Sequence, residues 1–386
     1  MPTGRRSRLA VVSATSLAVA LSLSACTSAT RGRSVSGSSS GIPRAATPSP
    51  LVDPDDITFG GVPPDGIPPI DDPKFLTVSE VDFLDAREPV IAIEIHGDAR
   101  TYPAQIMIWH EIVNDVVGGV PVVTYCPLCN TGIAFRRPVI DGQLLDFGTS
   151  GKLYHSNLVM YDRQTESLWP QAMGLAVIGP LTGTKLDMLP VQMVSWADWR
   201  AEHPDGKVLS LDTGAVRPYG ENPYESYDRP DSTPFLFEGP PDPRLHALAR
   251  VLGVQVAGDA VAFPYLELED RAVAGWSIVE AEVGGRDVVV FWKAGTVSAV
   301  DAPVIARSRD VGATGAFDPR VGERTLTFHA TPGSIVDEQT GSVWNIVGRA
   351  VTGPLAGTEL RPVISTESFW FDWAAFHPDT RIFGRR

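Results

Sequence analysis

Positive charge is in short supply. Lys and Arg number 32 against 46 Asp and Glu in 386 residues, a formal net charge of −14; nucleic-acid binding draws mostly on cations that neutralise phosphates, so no nucleic acid is expected as a partner. Long apolar runs are missing too. The apolar stretch Leu9–Leu23 is diluted by Ser and Thr and too short to span a bilayer. A content of 43% hydrophobic and 20% charged residues is that of a globular chain, not of a multi-span membrane protein or a disordered one. No GxSxG, HExxH, Walker A or GxGxxG pattern occurs, which disfavours hydrolase, zinc-protease and nucleotide-dependent chemistry. Cysteine is limited to three residues, with one CxxC and no second.

Proline (33) and glycine (36) are plentiful, which suits short strands joined by many turns. At the amino terminus, Arg5, Arg6 and Arg8 precede the apolar stretch, the layout of a secretory signal. It ends Leu23-Ser24-Ala25-Cys26, which looks like a bacterial lipobox. Residues 1–25 are therefore expected to be a removed lipoprotein signal peptide, with Cys26 lipidated. Residues 26–54 read as a flexible tether, since the stretch from Thr27 to about Pro50 is poor in large apolar side chains. The expected location is the cell membrane, lipid-anchored through Cys26 on the extracytoplasmic face.

The remainder carries an internal similarity. Gly174–Leu186 (GLAVIGPLTGTKL) matches Gly348–Leu360 (GRAVTGPLAGTEL), and the match extends to Asp162, Thr165 and Trp169 opposite Asp337, Thr340 and Trp344. Downstream, Trp196-Ala197-Asp198-Trp199 stands opposite Trp370-Phe371-Asp372-Trp373. Two tandem β-rich repeats follow, at 55–212 and 245–386, separated by a Pro- and Tyr-rich linker or strap at 213–244. The predicted fold is mainly β, with strands near Val90–Ile95, Val120–Tyr125 and Leu158–Tyr161. Helices are expected over Ser195–Glu202 and over Pro243–Leu252, the latter from a starting proline and Gly253 just past its end.

The chemistry is expected where the repeats differ. Cys126 and Cys129 fall opposite Trp292 and Gly295, His110 falls opposite Trp276, and the segment Lys152–Leu158, with His155, has no counterpart. The first repeat thus keeps a site that the second, degenerate one lacks. Cys126-Pro127-Leu128-Cys129 follows an apolar strand and precedes Asn130-Thr131-Gly132, a turn cluster in which Asn tolerates a left-handed backbone. Two thiols three residues apart can point at one centre. A four-coordinate zinc needs two more ligands, which His110, His155 or Met160 would supply; thiolate, imidazole and thioether together favour copper or zinc. This requires His110, taken as part of a strand next to that of Cys126, to approach the thiols, with Glu111 or Asn114 orienting it.

The same pair can act as a redox centre. In an oxidising compartment Cys126 or Cys129 would exchange with a partner protein's disulfide, with Glu111 or His110 adjusting the thiol pKa. A third reading is a non-catalytic binding or assembly module in which the pair forms an inert bridge. Ser150, Asp162 and Gln171 are candidates for lining a ligand pocket beside the thiols. Asp162 recurs as Asp337 and so also reads as a turn cap, whereas Ser150 and Gln171 do not recur. His203 and His377, shared by both repeats, read as packing or capping residues.

The segments Trp109–Asp115 (WHEIVND), Tyr125–Gly132 (YCPLCNTG) and Met160–Gln171 (MYDRQTESLWPQ) resemble a prokaryotic family, the domain of unknown function 3179, over most of residues 55–386. The resemblance places His110, Cys126, Cys129, Asp162, Trp169 and Gln171 at motif positions and implies no activity.

Overall fold

The computed structural model describes residues 47–119 and 121–385. The expected leader at 1–25, the lipidation site Cys26 and the tether as far as residue 46 lie outside the described residues. From Leu51, whose N–H donates to Val177 O at 2.9 Å, the chain is tied to the body of the protein.

The fold is mainly β, with four short α-helices among the described residues: α1 (Ala104–His110), α2 (Trp196–Glu202), α3 (Tyr265–Asp270) and α4 (Trp370–Phe376). Tight two-residue turns set the strand registers. Strand Pro89–Ile95 folds back on Asp98–Pro103 across His96-Gly97, both at positive φ, and Arg250–Val256 folds back on Asp259–Pro264 across Ala257-Gly258, also both positive. That is the backbone a twisted two-residue hairpin demands. The two hairpins lie in sheets of like order. Gln192–Ser195, Pro89–Ile95, Asp98–Pro103 and Lys207–Leu209 run in one, which adds Phe75–Thr77 antiparallel at its edge, and Ser365–Phe369, Arg250–Val256, Asp259–Pro264 and Arg381–Ile382 run in the other; the third pairing is parallel in each.

Two further sheets hold the cysteines and their surroundings. One runs Asp187–Leu189, Thr131–Arg136, Pro121–Cys126, Ile112–Asn114; the other runs Ile57–Phe59, Phe147–Tyr154, Asn157–Asp162, Leu168–Pro170. Cys126, Leu128 and Cys129 share one apolar core with Ala299, Val300, Phe369 and Phe371, so the CxxC turn sits at the seam of the amino- and carboxy-terminal halves. Residues 213–244 follow turns and bridge the same seam. Asn222 and Tyr227 donate their backbone N–H groups to Pro303 O and Val300 O, while Phe235 O accepts from Ser156 Oγ at 2.5 Å.

Helix α2 forms where expected, with Ser195 as its N-cap accepting from Asp198 N. His203 and His377 are the C-cap residues of α2 and α4. Two local expectations fail. Pro243–Leu252 is not a helix: it is turns leading into the central strand Arg250–Val256, which is hydrogen-bonded on both edges. Gly253 is there for space, since a Cβ would come within 2.2 Å of the Trp373 ring. Trp109-His110-Glu111 is likewise not strand but the end of α1, an apolar segment buried along nearly its whole length.

Candidate functional site

Strand Pro121–Cys126 delivers Cys126 into a turn closed by Cys129 N–H to Cys126 O at 3.2 Å and Asn130 N–H to Pro127 O at 3.3 Å. Asn130 takes φ 53°, the left-handed backbone that lets strand Thr131–Arg136 depart in register. Both thiols are free, and their sulfurs lie 3.0 Å apart. They are nearly sealed from solvent, at 2% exposure for Cys126 and 0% for Cys129.

The second wall is a strained hairpin turn. Tyr154 pairs with Asn157, and His155 and Ser156 between them take φ 52° and 66°, a turn that Asn and Gly usually occupy. Two non-glycine residues in this backbone cost about 1–3 kcal/mol each, the kind of strain that collects at functional sites. The turn sets Ser156 O 3.4 Å from Cys129 Sγ and Asn157 Nδ2 3.5 Å from the same sulfur.

The third wall comes from α4. Asp372 is buried near the Cys129 thiol and is joined to it through Asn157, whose Nδ2 lies 3.5 Å from Cys129 Sγ. Its carboxylate accepts from Ser368 Oγ at 2.7 Å, Asn157 Nδ2 at 2.9 Å and Thr131 Oγ1 at 3.3 Å. Burial pushes its carboxyl up to about 6, against the pull of those donors. Burial, the bond with Cys126 and the Asp372 charge together hold the Cys129 thiol well above its ordinary value. The result is a compact buried cluster of Cys126, Cys129, Asn157 and Asp372. One cavity of about 830 Å³ is lined by Leu128 of the CxxC turn and by Tyr227, and another of about 500 Å³ reaches Asp372 beside Trp373 and His377.

Of the residues singled out by sequence, Cys126, Cys129 and Gln171 come together. Gln171 donates to Thr124 Oγ1 and Thr131 O, and its Oε1 accepts from Asn157 at 3.4 Å. The expected approach of His110 to the thiols does not occur: its Nδ1 is 2.7 Å from Pro68 O and its Nε2 2.7 Å from Tyr219 Oη. Burial lowers its pKa. His155 packs instead among Tyr154, Phe237 and Phe376, and Met160 is a core residue opposite Trp169 and Thr149. Among the described residues no group of three His, Cys, Asp or Glu is arranged to hold a metal ion. Ser150 spans a strand irregularity, bonding Val159 O and Lys152 N.

Asp162 is consumed locally by Thr165 N, Thr165 Oγ1 and Trp169 Nε1 at 2.6, 2.9 and 3.0 Å. Asp337 does the same for Thr340 and Trp344 at 2.6, 2.8 and 3.0 Å. Glu111 lines the larger cavity rather than meeting a thiol: its backbone sits at φ 59°, ψ −31°, and burial alone pushes its carboxyl up to about 8.

Asp372 and Asn157 are the residues that sequence reasoning missed. Asp372 belongs to the tryptophan motif shared with Asp198 and so reads as scaffold. Asp198 is a helix-capping partner of Ser195 paired with Lys293, whereas Asp372 lies near a thiol. Asn157 lies in the segment without a counterpart, where the histidine drew attention instead.

Comparison with known proteins adds one match: the model of a family described as "Protein of unknown function (DUF3179)" covers residues 64–380. No curated protein and no solved structure matches the chain.

Proposed function

The chain belongs to the DUF3179 family, and from that premise we propose that this member is a thiol–disulfide exchange protein, held by lipid on Cys26 at the extracytoplasmic face of the cell membrane. One observation carries the reading: two free thiols 3.0 Å apart, the deeper one linked through Asn157 to a buried carboxylate that makes no salt bridge among the described residues. A carboxylate so placed serves as general base at the end of a proton relay from Cys126 through Cys129, although its charge and burial together hold the Cys129 thiol protonated at rest.

The exchange runs in two steps. Cys126, the more accessible of the two residues, gives up its proton along the relay to Asp372 and attacks one sulfur of a partner disulfide, forming a mixed disulfide and expelling one partner thiolate, which takes that proton from Asp372 and leaves the carboxylate free for the second step. Cys129, deprotonated by Asp372, then attacks Cys126 Sγ and expels the second partner thiolate. The two sulfurs need close only from 3.0 Å to about 2.05 Å. Overall, two protein thiols become one disulfide, one partner disulfide becomes two thiols, and two electrons pass to the partner. The burial of Cys126 favours a small disulfide or one on an extended peptide, entering beside Leu128. The soft-metal reading, copper or zinc, is less supported. It has two sulfur donors and no imidazole joined to them.

Trapping tests the proposal. With a small disulfide such as oxidised glutathione, Cys129→Ser should accumulate the mixed disulfide at Cys126, read as the added mass, while Cys126→Ser should stay unmodified. Equal modification of both variants, or of neither, contradicts the mechanism.

A further inference from the structure

Glu111 poses a separate question. It follows α1 in a backbone conformation unfavourable to any side chain, is 8% exposed, and its carboxyl forms no hydrogen bond or ion pair among the described residues. A buried carboxyl without a partner is costly, and backbone strain at such a place points to use rather than to packing. It faces the cavity of about 830 Å³ that lies under residues 223–236, within the size range of small-molecule sites. Tyr224 and Tyr227 stand in the wall, 6.5 Å apart edge to face, and Phe235 and Leu236 are 48% and 40% exposed at the lining. Glu225 and Asp231 against Lys152 leave the rest of the lining acidic.

We propose that this cavity binds a small organic cation, an amine or quaternary ammonium with an apolar body, whose charged end pairs with Glu111. A cation entering the cavity displaces the Glu111 proton, which burial otherwise holds up to about pH 8, and the carboxylate so formed supplies the counter-charge; the phenol and phenyl faces attract a cation through their π systems. The apolar surface takes the ligand's hydrocarbon. An anion would meet three carboxyl groups and one lysine. A bare metal ion finds one carboxylate and no cluster of ligands. The inference does not depend on the thiol chemistry, since Glu111 takes no part in the relay from Cys126 to Asp372.

Calorimetric titration of the full chain with 2-phenylethylammonium and with its neutral isostere 2-phenylethanol tests the proposal. The cation should bind at least about tenfold more tightly. Glu111→Gln, checked for folding by its melting curve, should lose at least about tenfold in affinity for the cation and little for the alcohol. Were that variant unfolded, the wild-type pair of ligands decides alone. Equal affinity for the alcohol, no binding of either compound, or unchanged cation affinity in folded Glu111→Gln overturns the assignment.

Discussion

Replacing Asp372 with Asn removes the proton acceptor while keeping its shape. In the native protein one carboxylate oxygen accepts from Asn157, the other from Ser368 and Thr131. An amide can keep its oxygen towards Asn157 and offer its NH2 to the two hydroxyls, which rotate to accept. The substitution also removes a charge whose burial raises the carboxyl from 3.8 to about 6, a cost of about 3 kcal/mol at neutral pH, so the variant should fold. Its chemistry should not survive as well. With the carboxyl at about 6, Asp372 is about nine-tenths ionised at pH 7 and one-tenth at pH 5, so the wild-type rate of thiol oxidation should rise about tenfold across that interval. Loss of a general base costs about 10²-fold or more. Stopped-flow oxidation of the full chain by a small disulfide, with thiols quenched by acid and counted by mass, gives both quantities. The variant should be about 100-fold slower at pH 7 and lack the inflection near 6. A rate within twofold of wild type, with the inflection intact, would refute the role given to Asp372.

Two further outcomes follow from the buried carboxyls. The folded protein holds Glu111 protonated up to about pH 8, whereas the unfolded chain releases that proton near 4.5. Its contribution to stability is thus full below about 4.5 and falls as pH rises to 8, by up to about 5 kcal/mol. Glu111→Gln should flatten that slope in denaturant titrations and be the more stable protein at pH 8; a parallel slope would contradict the burial argument. Asp162→Ala and Asp337→Ala each strand a threonine N–H and a tryptophan Nε1–H. Each should lose about 2–4 kcal/mol in urea unfolding without slowing thiol exchange. A selective loss of exchange in Asp162→Ala would return that residue to the site.

The sequence made much of this arrangement legible because turn chemistry is local. The CxxC at the end of a β run, the left-handed Asn130 after it, the helix beginning at Ser195 and the matched Asp–Thr–Trp turns all follow from residues within a few positions of one another. What it concealed is tertiary. His110 shares a short stretch of sequence with the cysteines, yet α1 turns its ring towards Pro68 and Tyr219, because an apolar segment bordered by Pro103 packs as a helix although it reads as one of a series of strands. Asp372 lies more than 240 positions from the thiols in the half read as degenerate, and its motif is indistinguishable from that of Asp198. The segment Lys152–Leu158 did signal something without a counterpart in the carboxy-terminal half. Residue type favoured His155, whereas the backbone of the turn employs Ser156 and Asn157 at the sulfur.

The reduction potential of the Cys126–Cys129 pair bears most directly on whether this is an exchange centre. The full chain equilibrated in graded glutathione buffers, then acid-quenched and digested, should show the peptide spanning both cysteines losing two mass units in one reversible transition. Its midpoint should lie above about −300 mV, the region of exchangeable bonds. A pair that never oxidises at any poise, or a bond that no thiol buffer reduces, would contradict the account.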